Sequence, residues 1–175
     1  RWGKSMLHCP YCHGFEFAGK RQGVLYSAPM SAHQAQLIAD WGPTTLYLNG
    51  NEMPDEEIQA KLAKREVLIE AARIDALKGD SGGLSALLLS DGREALIDAL
   101  YLVPNSRLNS HIAEQLGCAL DEGPLGTMIR TDEKKQTTVA GVYAAGDIAR
   151  APHNASWAAA DGVTAGVFLH QSLVF

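Results

Sequence analysis

The apolar positions of this chain change their period along its length, and the changes mark out its elements. Residues 23–27 (GVLYS) form a short apolar run of the kind a buried strand shows. Over 31–41 (SAHQAQLIADW), Ala32, Ala35, Ile38 and Ala39 recur three and four residues apart, which predicts a helix with one buried face. A second strand is predicted over 44–48 and a second helix over 55–65 (DEEIQAKLAKR), whose acidic start and basic end complement its dipole. Two strand–helix units in succession predict a parallel, doubly wound sheet. From 67 to 103 the pattern shortens to β-like runs at 67–70, 84–89 and 99–103, broken by glycine-rich turns at 79–83 and 91–92. Such runs predict an antiparallel insert that returns to the parallel sheet. Beyond Pro104 and Asn105 follow a short helix near 111–116, a strand around Met128 and Ile129, a strand over 141–145 ending in Gly146-Asp147, and an apolar helix over 155–170. The organisation expected is two lobes, 1–105 and 106–175, joined in the region 104–110, without repeats or low-complexity tracts.

The chain has 175 residues, 46% hydrophobic and 20% charged, enough for a sizeable core. Its formal charge of -5, with no basic block longer than Lys134-Lys135, gives nucleic acid or an anionic membrane no electrostatic footing. No apolar run approaches the roughly 18 residues of a membrane span, and no charged-then-apolar leader opens the chain, so a soluble, cytoplasmic protein is expected. The first residue is Arg1 rather than Met, almost on top of the most reactive-looking motif, and the expectation is a piece of a longer polypeptide.

That motif is His8-Cys9-Pro10-Tyr11-Cys12-His13-Gly14. As a string it fits covalent haem attachment, a pair of zinc ligands flanked by histidines, or a redox dithiol. Haem attachment needs a second axial ligand and an exported, mostly helical protein, which the α/β pattern does not offer. Zinc needs four ligands; only Cys118 remains elsewhere, and His8, Cys9, Cys12 and His13 together would be crowded. Cys118 itself reads as a small buried hydrophobe.

The segment TTVAGVYAAGDIAR, followed by HNASWAAADGVTAG, resembles the closing segment of the thioredoxin-reductase branch of flavin-dependent disulfide oxidoreductases. The resemblance covers nearly the whole chain, because that family also places a C-x-x-C well upstream, inside its nicotinamide-binding lobe. It implies a Rossmann-like nicotinamide-type lobe followed by the C-terminal part of an FAD-binding lobe. It further implies that Gly146 and Asp147 hold the flavin's ribityl chain, and that His153, Asn154 and Ala155 line the flavin at a helix start. Under it, Cys9 and Cys12 are a redox dithiol, Cys12 on the flavin side and Cys9 exchanging with substrate through a mixed disulfide. His13 stands where the NADPH-dependent members carry an Asp as acid/base. Relatives that oxidise dithiols, including those closing disulfides in small natural products, have C-x-x-C-H-G followed by an aromatic and Glu, as Phe15 and Glu16 do here. In those relatives a further histidine beside the flavin joins proton transfer, which nominates His153. No metal site is implied.

One family feature is missing. A nicotinamide lobe needs G-x-G-x-x-[GA] at its first βα turn so that backbone amides reach the pyrophosphate. Here stands Ser27-Ala28-Pro29-Met30-Ser31-Ala32, and Pro29 lacks an amide donor. Where NADPH users place basic residues for the extra phosphate, this chain has Asn49-Gly50-Asn51-Glu52. Hydrogen bonds to charged groups are worth about 1.5 to 3 kcal/mol each, so such losses weaken NADPH binding by several kcal/mol. The expected activity is electron transfer from a small-molecule or protein dithiol through Cys9 and Cys12 to FAD and on to an acceptor other than nicotinamide, most simply oxygen. The ADP half of the FAD site is expected upstream of residue 1, leaving this piece inactive alone, and a homodimer is expected at full length. The rivals are an NADPH-dependent thioredoxin reductase, another reducing donor such as ferredoxin, and a zinc-bearing module on a decayed Rossmann scaffold.

Overall fold

A computed structural model describes residues 1–175, which divide into two units, Arg1–Val103 and Pro104–Phe175. The first is built on five parallel strands in the order β1 (Met6–Leu7), β8 (Ala99–Leu102), β2 (Gln22–Leu25), β3 (Thr44–Tyr47) and β4 (Leu68–Glu70). Between these strands run α1 (Pro10–His13), α2 (Met30–Ile38) and α3 (Glu56–Lys64). Alternation along each strand decides which layer each side chain joins. Leu7, Val24, Leu46, Ala99 and Tyr101 pack with Ala32, Ala35 and Ile38 of α2 and Leu62 of α3. Tyr47 and Leu100 face the other way, into Leu84, Leu87, Leu89 and Ile97. That second layer is an antiparallel sheet of β5 (Ile74–Asp80), β6 (Gly83–Leu89) and β7 (Glu94–Leu96). A sheet covered on both faces gives continuous apolar runs, hence the α/β, doubly wound signature.

Two expectations need correction in this unit. Residues 67–70 belong to the parallel sheet, with Leu46 opposite Ile69, rather than to the antiparallel insert. Strand β5 had no apolar run to announce it; its residues are mostly half-buried or exposed, and pairing with β6 holds it. Helix α3 is as solvated as its charges imply, burying only Leu62, with the Asp55 carboxylate accepting the Ile58 amide at 2.8 Å as N-cap.

The second unit contains α4 (Ile112–Gln115), a hairpin of β9 (Leu120–Gly123) and β10 (Gly126–Ile129), and the long α5 (Ala155–Val174). Its core is small: Ala113, Cys118, Ile129 and Ala144. The strand expected over 141–145 does not form. Gly141 turns the chain at φ +77°, and the extended stretch after it meets a partner only at the single bridge Gln136–Tyr143. That partner is itself a tight turn, in which the Asp132 carboxylate takes the amides of Lys134 and Gln136. Helix α5 has 20 residues yet buries only Asp161, leaving Val163, Val167 and Leu173 exposed. No helix is long and apolar enough to cross a membrane.

Candidate functional site

The cysteine motif begins where the chain leaves β1. Gln34 of α2 donates its Nε2–H to the His8 carbonyl at 2.6 Å, and Trp2 stacks on the His8 ring with centroids 6.0 Å apart. Cys9 is the extended N-cap of α1, and Pro10, whose fixed φ suits a first helical position, starts the turn. One helical turn then stacks Cys12 over Cys9, the Cys12 thiol donating to Cys9 Sγ at 2.7 Å. The Cys12 thiol is pushed up to about 11, chiefly by that hydrogen bond, then by partial burial and by the negative charge of Cys9. His13 Nδ1 lies 3.1 Å from Glu16 Oε2, so the carboxylate orients the ring; the pair spans one turn, a spacing legible in the sequence but not used above.

Gly14 is required for space rather than conformation: its φ is an ordinary -58°, but a Cβ would sit 2.6 Å from the Pro10 carbonyl oxygen and from the Trp41 ring. Gly14→Ala is expected to destabilise the first unit by about 1–3 kcal/mol, read from the denaturant midpoint by Trp41 emission, since the clash must push α1 off Trp41. Tyr11, 75% exposed, meets Trp41 edge-on at 5.9 Å, and Phe15 is 88% exposed, so aromatic surface flanks the sulfurs.

The β2–α2 turn shows what has replaced the glycines. Ser31, fully buried, accepts the Ser27 and Ala28 amides on its Oγ at 3.1 and 3.2 Å. The Ser27 hydroxyl is bonded to the Val103 carbonyl. After β3, Asn51 Nδ2 donates to the Tyr26 and Leu48 carbonyls, and Asn49 Oδ1 accepts the Ile74 amide. The Ser27 and Ala28 amides and the side chains of Ser27, Asn49 and Asn51 are thus engaged in internal hydrogen bonds.

In the second unit Gly146 adopts φ +81° and ψ -155°, a conformation that a side chain makes costly, and Asp147 opens a 3-10 turn, Asp147–Ala149. Asp147 and His153 line one cavity of about 210 Å³ together with Arg107, Arg150 and Thr127. An exposed carboxylate beside two guanidinium groups and an imidazole suits a polyhydroxyl ligand bearing phosphate. Asn154 spends its side chain capping α5, accepting the Ser156 amide at 2.9 Å, and Ala155 is the exposed first residue of that helix; neither is among the cavity's lining residues. Asp161 is the residue that sequence reasoning missed. Its carboxylate takes Lys135 Nζ at 3.0 Å and Arg150 Nη1 at 3.3 Å, tying α5 to the segments on either side of Gly146.

Residues 43–162 match the family model described as pyridine nucleotide-disulphide oxidoreductase. The chain is 34% identical over 181 residues to a protein named thioredoxin reductase tcpT from Claviceps purpurea, covering 99% of this chain and 56% of that one. It is 30% identical to one named thioredoxin reductase sirT from Leptosphaeria maculans, covering 94% and 54%. Among solved structures it superposes on an oxidoreductase from Agrobacterium tumefaciens with a TM-score of 0.93 and 41% identity, covering all of this chain and 58% of that one. The chain thus spans about half the length of the curated relatives it matches.

Proposed function

The chain belongs to the pyridine nucleotide-disulphide oxidoreductase family, and on that premise we propose that it is the dithiol-bearing part of a flavin-dependent thiol–disulfide oxidoreductase that works without NADPH. The observation that carries this reading is the Cys9–Cys12 pair, one thiol donating to the other at 2.7 Å beside a His13–Glu16 dyad. The pair lies outside the stretch that the family model matches, so its geometry is an independent support.

In the oxidised pair, a substrate thiolate attacks Cys9 Sγ, forming a mixed disulfide and breaking the Cys9–Cys12 bond. Cys12 leaves with the electron pair and takes up a proton. His13 is suited to deliver it: Glu16 holds Nδ1, which leaves Nε2 to exchange protons. The second substrate thiolate then attacks the substrate sulfur of the mixed disulfide, releasing a substrate disulfide and leaving Cys9 and Cys12 reduced. FAD, when bound, would supply the two-electron acceptor for the reduced pair, with oxygen or another acceptor as the final oxidant. Asp147 is assigned to its ribityl hydroxyls, with Gly146 setting the turn and His153, in the same cavity, serving proton transfer. Exposed Tyr11 and Phe15 give a dithiol substrate apolar surface to rest on.

NADPH independence rests on Ser31 occupying the amides of Ser27 and Ala28. No three His, Cys, Asp or Glu side chains are gathered in metal-ligand geometry, which supports the dithiol reading over a zinc module. The test is anaerobic mixing of the complete polypeptide loaded with FAD. Dithiothreitol is expected to bleach the flavin band and millimolar NADPH to leave it intact; bleaching by NADPH would establish the NADPH-fed thioredoxin reductase instead.

A further inference from the structure

We propose that Gln34 is a positioning residue: by holding the His8–Cys9 peptide it sets how closely Cys9 is kept against Cys12, and with it the thiol–disulfide equilibrium of the pair. The inference rests on reading the two cysteines as an exchanging dithiol. Gln34 lies on α2, 26 residues from His8 in sequence, and its Nε2 donates to the His8 carbonyl at 2.6 Å. It is 8% exposed, and its Oε1 is buried without a hydrogen-bond partner in the protein. A methionine would fill a similar volume without burying an unpaired acceptor, so what this amide contributes is its one bond to His8. That carbonyl belongs to the planar peptide unit whose nitrogen is Cys9's own, so the bond acts one residue from the reacting sulfur.

Cys9 is extended, at φ -119° and ψ 112°, the region to which a following proline confines it, and from Pro10 onward the chain is helical. With the backbone held on that side, the orientation of Cys9 Sγ depends on the plane of the peptide before it, and Gln34 pins that plane. The same helix steadies the far side of the motif: Trp41, just past the end of α2, meets Tyr11 edge-on at 5.9 Å and stands against Gly14. Helix α2 is itself anchored in the core by Ala32, Ala35 and Ile38, none more than 2% exposed. The sulfurs are thereby kept in contact at 2.7 Å. Without the Gln34 donor the His8–Cys9 peptide can turn and Cys9 samples orientations away from Cys12, which lowers the effective molarity of one sulfur at the other.

The experiment equilibrates wild type and Gln34→Met anaerobically with mixtures of reduced and oxidised glutathione, and reads the Cys9–Cys12 disulfide by peptide mass after acid quenching and alkylation of the remaining thiols. In that exchange the pair gives two electrons and two protons to oxidised glutathione, which leaves as two molecules of the reduced form. The variant's equilibrium constant for closing the disulfide is expected to fall about tenfold, or about 30 mV toward easier reduction, because a small displacement of a reacting group is enough for such a loss. The denaturant midpoint of its reduced form is expected to stay close to that of wild type, since the change removes one hydrogen bond and one unpaired buried acceptor together. A purely structural role would lower the midpoints of both redox forms alike and leave the constant unchanged, which overturns the inference while the dithiol reading stands. Failure of wild-type Cys9 and Cys12 to close a disulfide at any glutathione ratio overturns both. Should Gln34→Met not fold, Gln34→Asn, one methylene too short to reach the carbonyl, is expected to shift the constant in the same direction, and its constancy refutes the inference.

Discussion

Replacing Cys12 by serine is expected to freeze the chain at the mixed-disulfide stage. Wild type treated with a chromogenic aromatic disulfide should release two equivalents of aromatic thiol, the second almost at once, and finish with Cys9 joined to Cys12. Cys12→Ser should release one and keep the adduct on Cys9. The physical reason is proximity: a resolving sulfur 2.7 Å away acts at an effective molarity that in well-oriented cases exceeds 10⁵ M, so even millimolar external thiol leaves the adduct at least about 10³-fold longer-lived. The choice of cysteine follows from the proton. A thiol pushed up to about 11 is about one part in 10³ ionised at pH 8, so limiting iodoacetamide at that pH should label Cys9 in preference to Cys12. The main cause of the Cys12 shift is its bond to Cys9, so Cys9→Ser should return Cys12 toward the ordinary thiol range and make it more reactive at pH 8 than it is in wild type. Cys118 is buried and does not compete. Equal labelling of the two cysteines, or an adduct lost from Cys12→Ser as fast as from wild type, would remove the basis of the proposed cycle.

The parts of this architecture that were legible were those carried by local pattern. The two strand–helix units, the charged surface helix and the apolar run at β6 each declare a period over a handful of residues, and the fold follows from chaining them. Strand β5 was not legible because its stability comes from pairing with β6 rather than from apolar residues of its own. The stretch 141–145 reads as a strand on composition, yet a strand needs a ladder, and here only Tyr143 finds a bridge. The site divides in the same way. C-x-x-C-H-G and Gly146-Asp147 are contiguous and visible, whereas Gln34 holding the His8 carbonyl joins residues 26 positions apart and leaves no trace in either neighbourhood. The loss of the phosphate-binding glycines could be read directly. The group that took their place could have been found too, since a serine hydroxyl accepting amides three and four residues earlier is a local backbone motif.

Asp161→Ala is expected to be the most destabilising single change in the second unit, because this one carboxylate ties three elements together. It is the buried residue of α5, with its side chain 8% exposed, and it joins that helix to Lys135 and to Arg150. Removing one partner of a buried ion pair costs about 3–5 kcal/mol when the remaining charge stays trapped. Lys135 and Arg150 are 18% and 26% exposed and can turn partly into water, which places the expected loss below that range, at about 2–3 kcal/mol. Asp161→Asn keeps a neutral acceptor for Lys135 and Arg150 and should lose less. The pH dependence separates charge from packing. Burial alone would raise the carboxyl, but the hydrogen bond from Lys135 and the charges of Lys135 and Arg150 outweigh it and hold the group below the usual carboxylate range. A group lowered by folding contributes fully above its unfolded value, about 3.9, and loses that contribution as the pH falls through the folded value. Wild type and Asp161→Ala should therefore differ clearly in denaturant midpoint at pH 7 and converge as the pH falls below about 4. Trp157, stacked under Arg150 at 4.9 Å, reports this unit once Trp2 and Trp41 are replaced by phenylalanine. A gap of the same size at pH 3 and pH 7 would assign the effect to packing instead.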